Sequence, residues 1–235
     1  MIDHYDQVLI RASAFLGTAV IILAAVMMLI YPKVEDLPDG FRTPVLAFEF
    51  ATSENGLAFM AGTDETTRQI RREMKRGQYL DLVFPFAYGG LILVLLMTLS
   101  KKGLLFPKIG ILFAIAVIPA DLWENHVMFN ILNRLDEGLL AADLLPQLHI
   151  ATWVKWWMIG LSAICLSVGY FQQKNYLNGL IGLLAGAGVV AAWISGSNAF
   201  YVEGMVILLT MFFGYFAVIA IYNYWVSKRK WKVLT

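Results

Sequence analysis

Charged side chains are scarce in this sequence. They account for 15% of its 235 residues, whereas hydrophobic residues account for 59%. Soluble domains usually carry about 25% charged residues, so this shortage excludes an ordinary soluble enzyme and predicts a polytopic membrane protein. The apolar stretches run almost from end to end, and we therefore expect residues 1–235 to form a single membrane domain.

Cysteine and histidine are also nearly absent. The single cysteine, Cys165, excludes an internal disulfide and any cysteine-based metal site. The three histidines lie outside any HExxH, His-rich or Cys-rich pattern, so we expect no zinc or iron site and no cofactor. A hard cation held by carboxylates from different spans stays open. The net charge of +1 argues against nucleic acid as a partner.

Six long apolar stretches follow one another along the chain. A transmembrane helix needs about 20 mostly apolar residues, and we therefore predict an all-α integral membrane bundle of six transmembrane helices. The spans are expected near residues 9–31, 80–100, 106–132, 148–171, 176–197 and 203–226. The apolar part of the first span is too long for a signal peptide, so we expect that span to be retained.

Lysine and arginine residues in the short loops predict the orientation. The second loop, the fourth loop and the C-terminal SKRKWK tail are basic, and all three lie on one side of a six-span chain. The third and fifth loops are net acidic and lie on the other side. We therefore expect both termini in the cytoplasm. The lipid bilayer is the expected partner, and we expect it to be a bacterial inner membrane.

The first external loop, residues 32–78, is too long to be a simple connection. It contains RTPVLAFEFATSENGLAFMAGT, an apolar stretch around Glu49 that is too short to span. We predict a re-entrant or interfacial helix there, with Glu49 either facing the interior as part of a lid or lying among lipid headgroups. The next segment, TDETTRQIRREMKRG, is predicted to form an exposed amphipathic helix with Thr63 as its cap.

Ionisable residues interrupt three predicted spans at a similar depth. In IPADLWENHVMF, Asp121 and Glu124 share a helix face because they are three residues apart, and Asn125 lies beside them. The second span enters the membrane through YLDLVFPFAYGG and the fourth through QLHIATWVKWWMIG. Together with the first loop, these segments supply the residues that we predict to bind a ligand: Glu49, Asp81, Tyr88, Asp121, Glu124, Asn125 and Lys155.

These polar side chains are expected to face the bundle interior. A charge in the middle of a bilayer costs from about 3 to more than 10 kcal/mol, and an interior position allows pairing. In one interpretation, Lys155 pairs with Asp121 or Glu124 only to fix helix packing. In the other, which the excess of acidic residues favours, the side chains form a functional pocket.

For a functional pocket, the leading hypothesis is an outward-facing site that binds, and could translocate, a proton, a cation or a small amine-bearing solute. One alternative is a membrane enzyme that uses paired carboxylates for acid–base chemistry on a lipid-like substrate. Another is a non-catalytic subunit that stabilises a larger membrane complex. Gly182 and Gly186 in the fifth span allow close helix packing, either within the chain or in a homo-oligomer.

Four short motifs occur in order along most of residues 44–160. They are FEFA around Glu49, DLVFPFAYG from Asp81, DLWEN from Asp121 and TWVKW around Lys155. The ordered set resembles a group of uncharacterised bacterial polytopic inner-membrane proteins. This resemblance implies that the four residues just named and Glu124 belong to one site. It implies no activity, because none is established for that group.

The basic loops lead to a prediction about topology. Reporter fusions at residue 235 and within residues 32–78 should report opposite sides of the membrane, with residue 235 in the cytoplasm. The positive-inside distribution of lysine and arginine is the physical reason. If both fusions report the same side, the six-span arrangement and the common depth of the charged residues are wrong.

Overall fold

The computed structural model describes the backbone of residues 4–234 and the side chains of residues 6–229. Helices account for 83% of this part of the chain, and no strand occurs in it. Among these residues the α-helices are α1 (His4–Ile30), α2 (Pro44–Glu49), α3 (Glu65–Asp81), α4 (Phe84–Ser100), α5 (Leu105–Asp136), α6 (Leu145–Gln172), α7 (Tyr176–Ile194) and α8 (Ala199–Leu234). Short 3-10 turns occur at Pro38–Gly40, Glu54–Leu57 and Ala142–Leu144.

Six helical segments are long and apolar enough to span a membrane, which confirms the prediction of an all-helical membrane protein. Among the described residues, four lie within single α-helices, Glu65–Ser100 combines α3 and α4, and Ala142–Gln172 combines the 3-10 turn Ala142–Leu144 with α6. The neighbours in space are α1 and α4, α4 and α5, α5 and α6, α6 and α7, α7 and α8, and α8 and α1. The six segments therefore close into a ring. Lys230 and Lys232 of the basic tail lie outside the residues whose side chains are described.

The boundary between α3 and α4 differs from the sequence prediction of one span near 80–100. Pro85 lies in the first turn of α4, where its missing N–H leaves no helical hydrogen bond unmade. The chain therefore ends α3 at Asp81 and starts α4 at Phe84. As a result, Asp81 lies at the end of a polar helix that leads directly into an apolar one.

Two hydrophobic cores are stacked along the bundle. The larger core contains Val117 of α5 and Ile159 of α6, and it extends through α4, α7 and α8. The smaller core contains Val127 of α5 and Leu148 of α6, together with α2, α3 and the segment between them. We call the end of the bundle that holds the smaller core the loop end. α5 has 32 residues, about 48 Å of helix, and exceeds the ~30 Å of a bilayer's hydrocarbon.

The α3 helix is less exposed than its charge pattern indicated. Arg71, Met74 and Gln78 are buried on its inner face. Arg71 donates to Asp136 at the end of α5, 2.5 Å away, and to the carbonyl oxygens of Met60 and Gly62 in the preceding loop. The guanidinium thereby ties the loop, α3 and α5 together.

The cap of α3 also differs from the expectation. Asp64, not Thr63, caps this helix, because its side chain accepts the backbone N–H of Thr67 at 3.0 Å. Thr67 in turn donates its hydroxyl to the Asp64 carboxylate at 2.9 Å. The helix start is therefore one residue later than the threonine suggested.

The Gly182/Gly186 face of α7 is used within the chain. A β-carbon added to Gly182 would lie 3.0 Å from the carbonyl oxygen of Ala163 on α6, and one added to Gly186 would lie 2.3 Å from a side-chain carbon of Ile164. Only glycine allows this approach of α7 to α6. A homo-oligomer would have to form through another surface.

Candidate functional site

All seven residues predicted to bind a ligand meet at the boundary between the two cores. We call this group the carboxylate cluster. The exposed fractions of its members are 5% for Glu49, 9% for Asp81, 4% for Tyr88, 2% for Asp121, 0% for Glu124, 0% for Asn125 and 4% for Lys155. The cluster is therefore buried, and α2, α3, α4, α5 and α6 each contribute to it.

Lys155 is the centre of the cluster. Its ammonium group donates to Glu49 at 3.0 Å and forms an ion pair with Glu124. The same ammonium lies 4.4 Å from the ring centroid of Trp156, where the electron-rich face adds a cation–π contact. Three segments that are distant in the sequence are thus joined by one positive charge. The sequence predicts a pair of this lysine with Asp121 or Glu124, and in the structure the partners are Glu124 and Glu49.

Asp121 is held by a separate set of donors. The Tyr88 hydroxyl of α4 donates to one of its oxygens, and the Asn125 amide donates to the other at 2.7 Å. Asn125 lies one turn along α5, and its amide also faces the Asp81 carboxylate. One amide is therefore close to two carboxylates on neighbouring helices.

The α2 helix is fixed at both of its ends. At its start, Glu203 of α8 accepts the backbone N–H groups of Arg42 and Thr43 at 2.8 Å each, and it accepts the Thr43 hydroxyl at 2.8 Å. At its end, Glu49 accepts the indole N–H of Trp156 at 3.2 Å and the Lys155 ammonium. Glu49 thus faces the bundle interior and not the lipid headgroups.

Burial determines the protonation of Glu49, which lies outside the six spanning segments. Burial raises the pKa of this carboxyl to about 8, the Glu124 carboxylate adds to the rise, and the Lys155 ammonium opposes it. Close to neutral pH, Glu49 therefore exchanges a proton, and the positive charge of Lys155 is then matched mainly by Glu124. The charge at the contact between α2 and α6 depends on pH.

Three neighbours of the cluster were not found from the sequence. Gln78 lies one turn before Asp81 on α3 and is fully buried. Its spacing of three residues from Asp81 places both side chains on one helix face, and this pattern could have identified Gln78 from the sequence. Tyr31 follows α1 and lies 3.4 Å from the Gln78 amide nitrogen. It packs so closely on Gly77 that an added β-carbon would approach its ring to 2.4 Å. Glu203 gave no signal, because its partners, two backbone N–H groups and the Thr43 hydroxyl, lie in a loop about 160 residues away.

Several buried oxygens of this region have no hydrogen-bond partner. They are Oε1 of Glu124, Oδ1 of Asn125 and Oε1 of Gln78. A buried acceptor without a partner costs about 1–3 kcal/mol, so each is expected to meet a donor or a cation. In the part of the chain that the structure describes, no group of three or more His, Cys, Asp or Glu side chains has the arrangement of a metal site.

No family model, no curated protein and no solved structure matches this chain. The chemistry of the cluster is therefore the basis for assigning a function. It offers four acidic side chains and one ammonium group in a buried environment. Such an arrangement can take up protons or another positive charge, and it can exchange a proton between neighbouring carboxylates.

The position of Lys155 leads to a stability prediction. Lys155→Met should lower the melting temperature of the detergent-solubilised protein strongly, because loss of one member of a buried pair typically costs about 3–5 kcal/mol. Adding Glu124→Gln should recover part of the loss, since both charges are then gone. Lys102→Met is the matched control, because Lys102 is exposed and donates only to Gln173 at 2.9 Å. A Lys155→Met protein as stable as the parent would contradict the central role of this lysine.

The raised pKa of Glu49 leads to a prediction about pH. The folded state holds this proton more tightly than the unfolded chain, whose value is near 4.5. Stability should therefore fall as pH rises from about 5 to about 8, by at most about 1.4 kcal/mol per pH unit. The charges of Glu124, Asp81 and Lys155 face the same carboxyl.

Thermal unfolding across this pH range provides the measurement. Glu49→Gln should flatten the profile, and Glu54→Gln, at an exposed position in the same loop, should leave it unchanged. A Glu49→Gln profile that runs parallel to the parent would show that Glu49 does not carry the pH dependence.

Proposed function

We propose that this protein binds a positively charged species in the carboxylate cluster from the outer side of the membrane and can carry it across. The candidate species are a proton, a metal cation and a small amine-bearing solute. The observation that supports this function is the excess of acidic groups, because four buried carboxyl side chains meet a single buried lysine. Unpaired buried charge is costly, so positive charge entering the cluster would be bound favourably.

Access from the outer side is proposed to occur past α2, acting as a re-entrant lid. Two features support this role. The helix has six residues, so it can move without displacing a spanning helix. Its last residue, Glu49, contacts the lysine at the centre of the cluster at 3.0 Å. When Glu49 takes up a proton, the attraction between α2 and Lys155 weakens, and the lid is then held mainly by Glu203.

The proposed orientation has both termini in the cytoplasm of a bacterium and the loop end of the bundle facing outward. The basic short loops support it, as does the resemblance of the four ordered motifs to bacterial inner-membrane proteins. In this orientation, the carboxylate cluster lies beneath the outer surface. Arg71, which ties the loop to α3 and α5, lies on the outer side of the cluster. A lysine that only fixes helix packing would need one carboxylate partner, whereas four carboxyl side chains surround Lys155. A non-catalytic subunit that only stabilises a larger complex is therefore the weaker proposal.

Uptake into proteoliposomes tests the proposed function. Three probes are offered from outside: protons followed with a trapped pH dye, radioactive sodium, and labelled methylammonium. The parent protein should accelerate uptake of at least one probe over protein-free liposomes. Glu124→Gln should reduce that uptake to the protein-free rate, because it removes the main counter-charge of Lys155.

Glu137→Gln is the matched control for this experiment. Glu137 lies on the same segment at the exposed end of α5, so its substitution should leave uptake unchanged. If no probe enters with the parent protein and none raises its melting temperature, the proposed function is wrong. Release of a product from phospholipid in the same vesicles would instead favour the membrane enzyme.

A further inference from the structure

Two neutral amide oxygens in the cluster region need a positive partner. Asn125 and Gln78 are both 0% exposed, and the side-chain oxygen of each has no hydrogen-bond partner. An amide oxygen does not take up a proton at any pH at which proteins fold. A protonated neighbouring carboxyl would supply one O–H donor and could satisfy only one of these oxygens, whereas a bound cation can be coordinated by both.

The two amides lie on facing sides of α3 and α5. The Asp81 carboxylate of α3 lies against the Asn125 amide of α5. One turn further out, the Gln78 amide nitrogen of α3 contacts the sulfur of Met128 on α5 at 3.5 Å. Residues three apart share a helix face with β-carbons about 5–6 Å apart, so Gln78 is the neighbour of Asp81 on α3 as Met128 is of Asn125 on α5.

The nearby donors are already committed to carboxylates. The Tyr88 hydroxyl donates to Asp121, and the Trp156 indole donates to Glu49 at 3.2 Å. The Lys155 ammonium is shared between Glu49 and Glu124. The second oxygen of Glu124 joins the two amide oxygens in lacking a partner. The Tyr31 hydroxyl, 3.4 Å from the Gln78 amide nitrogen, is a further donor, but one hydroxyl cannot satisfy three oxygens.

We propose that the oxygens of Gln78, Asp81, Glu124 and Asn125 hold a sodium-sized monovalent cation between α3 and α5. This inference rests on the proposed function and names its ligand. Oxygen ligands select hard cations, and no sulfur or nitrogen ligand is needed. Lys155 already neutralises Glu124, so Asp81 leaves one negative charge for the ion to balance. Two carboxylates and two neutral amides suit a single positive charge.

The cation would complete the junction between the two cores. It would replace the missing donors of the amide oxygens and reduce the repulsion between Asp81 and Glu124. Since a ligand that binds only the folded state stabilises it, the protein should become more stable as sodium is added. Protons compete for the two carboxylates, so this stabilisation should be larger at high pH than at low pH.

Thermal unfolding in lipid nanodiscs, followed by tryptophan fluorescence, tests the sodium site. NaCl replaces choline chloride at constant ionic strength, and KCl and CaCl2 are titrated separately. The melting temperature of the parent should rise saturably with NaCl. Gln78→Met removes one ligand at similar volume and should raise the half-saturating NaCl concentration about tenfold, a loss of about 1.4 kcal/mol in binding.

Matched controls exist on the same two helices. Gln69 of α3 and Asn130 of α5 are exposed, so Gln69→Met and Asn130→Leu should leave the sodium response unchanged, whereas Asn125→Leu should abolish it. Gln78→Glu keeps an oxygen ligand and should retain the response. It therefore tests the site even if Gln78→Met fails to fold.

The outcomes separate this inference from the proposed function. A parent protein that CaCl2 stabilises and NaCl does not would overturn the choice of a monovalent ion. Stabilisation by low pH or by methylammonium without any saturable response to sodium would leave the proposed function standing and reject the sodium site. A sodium response that persists in both Gln78→Met and Asn125→Leu would place the ion elsewhere and reject the proposed ligands.

Discussion

The ion pairs of Lys155 are the interactions on which the arrangement of this protein depends. One ammonium group joins α2 through Glu49 and α5 through Glu124, and it does so from the middle of α6. α5 and α6 are consecutive helices, but α2 is distant from both in the sequence, so its position against them depends on side-chain contacts. A buried charge is far more demanding than an apolar contact, because leaving it unpaired costs several kcal/mol. The lysine therefore specifies where α2 must lie.

The location of these charges between two cores explains how they are tolerated. Each contributing chain segment has apolar residues of the smaller core on one side of the cluster and of the larger core on the other, as Phe48 and Phe50 do around Glu49. Water and lipid are thereby excluded from both directions. Exclusion strengthens the pairing at Lys155, and it also raises the cost of the carboxylates that Lys155 does not neutralise. The same burial thus stabilises the ion pairs of Lys155 and favours the binding of cations or protons to the carboxylates that Lys155 does not neutralise.

Much of the cluster could be predicted from the sequence because membrane helices have few degrees of freedom. Spans of about 20 residues place Asp81, Asp121 and Lys155 at a common depth, and the cost of charge in lipid turns them inward. The choice between Glu124 and Asp121 as the partner of Lys155 could not be predicted, since it depends on helix rotation within a few tens of degrees.

The contacts of the loop end were also beyond sequence patterns. The α3–α4 boundary could have been read from Pro85, but the Glu203 cap and the buried Arg71 arise from backbone groups that only the folded chain brings near. When a polar side chain hydrogen-bonds to main-chain atoms, the sequence contains no residue pattern that identifies its partner. The inward position of Glu49 could not be predicted from a sequence pattern either. It depends on Trp156 and Lys155, which both donate to this one carboxylate from more than 100 residues away.

An excess of buried acceptors has a consequence for folding itself. Fixing a helix bundle requires one counter-charge for each buried carboxylate that is ionised, and this bundle provides one ammonium for four carboxyl groups. The remaining carboxyl groups can become neutral by binding protons, but the amide oxygens of Asn125 and Gln78 cannot. The positive ligand that we propose would therefore contribute to the free energy of the closed bundle. Its removal would raise the energy of the closed state, and displacement of the six-residue α2 helix, the proposed lid, would then admit water to the unpaired groups.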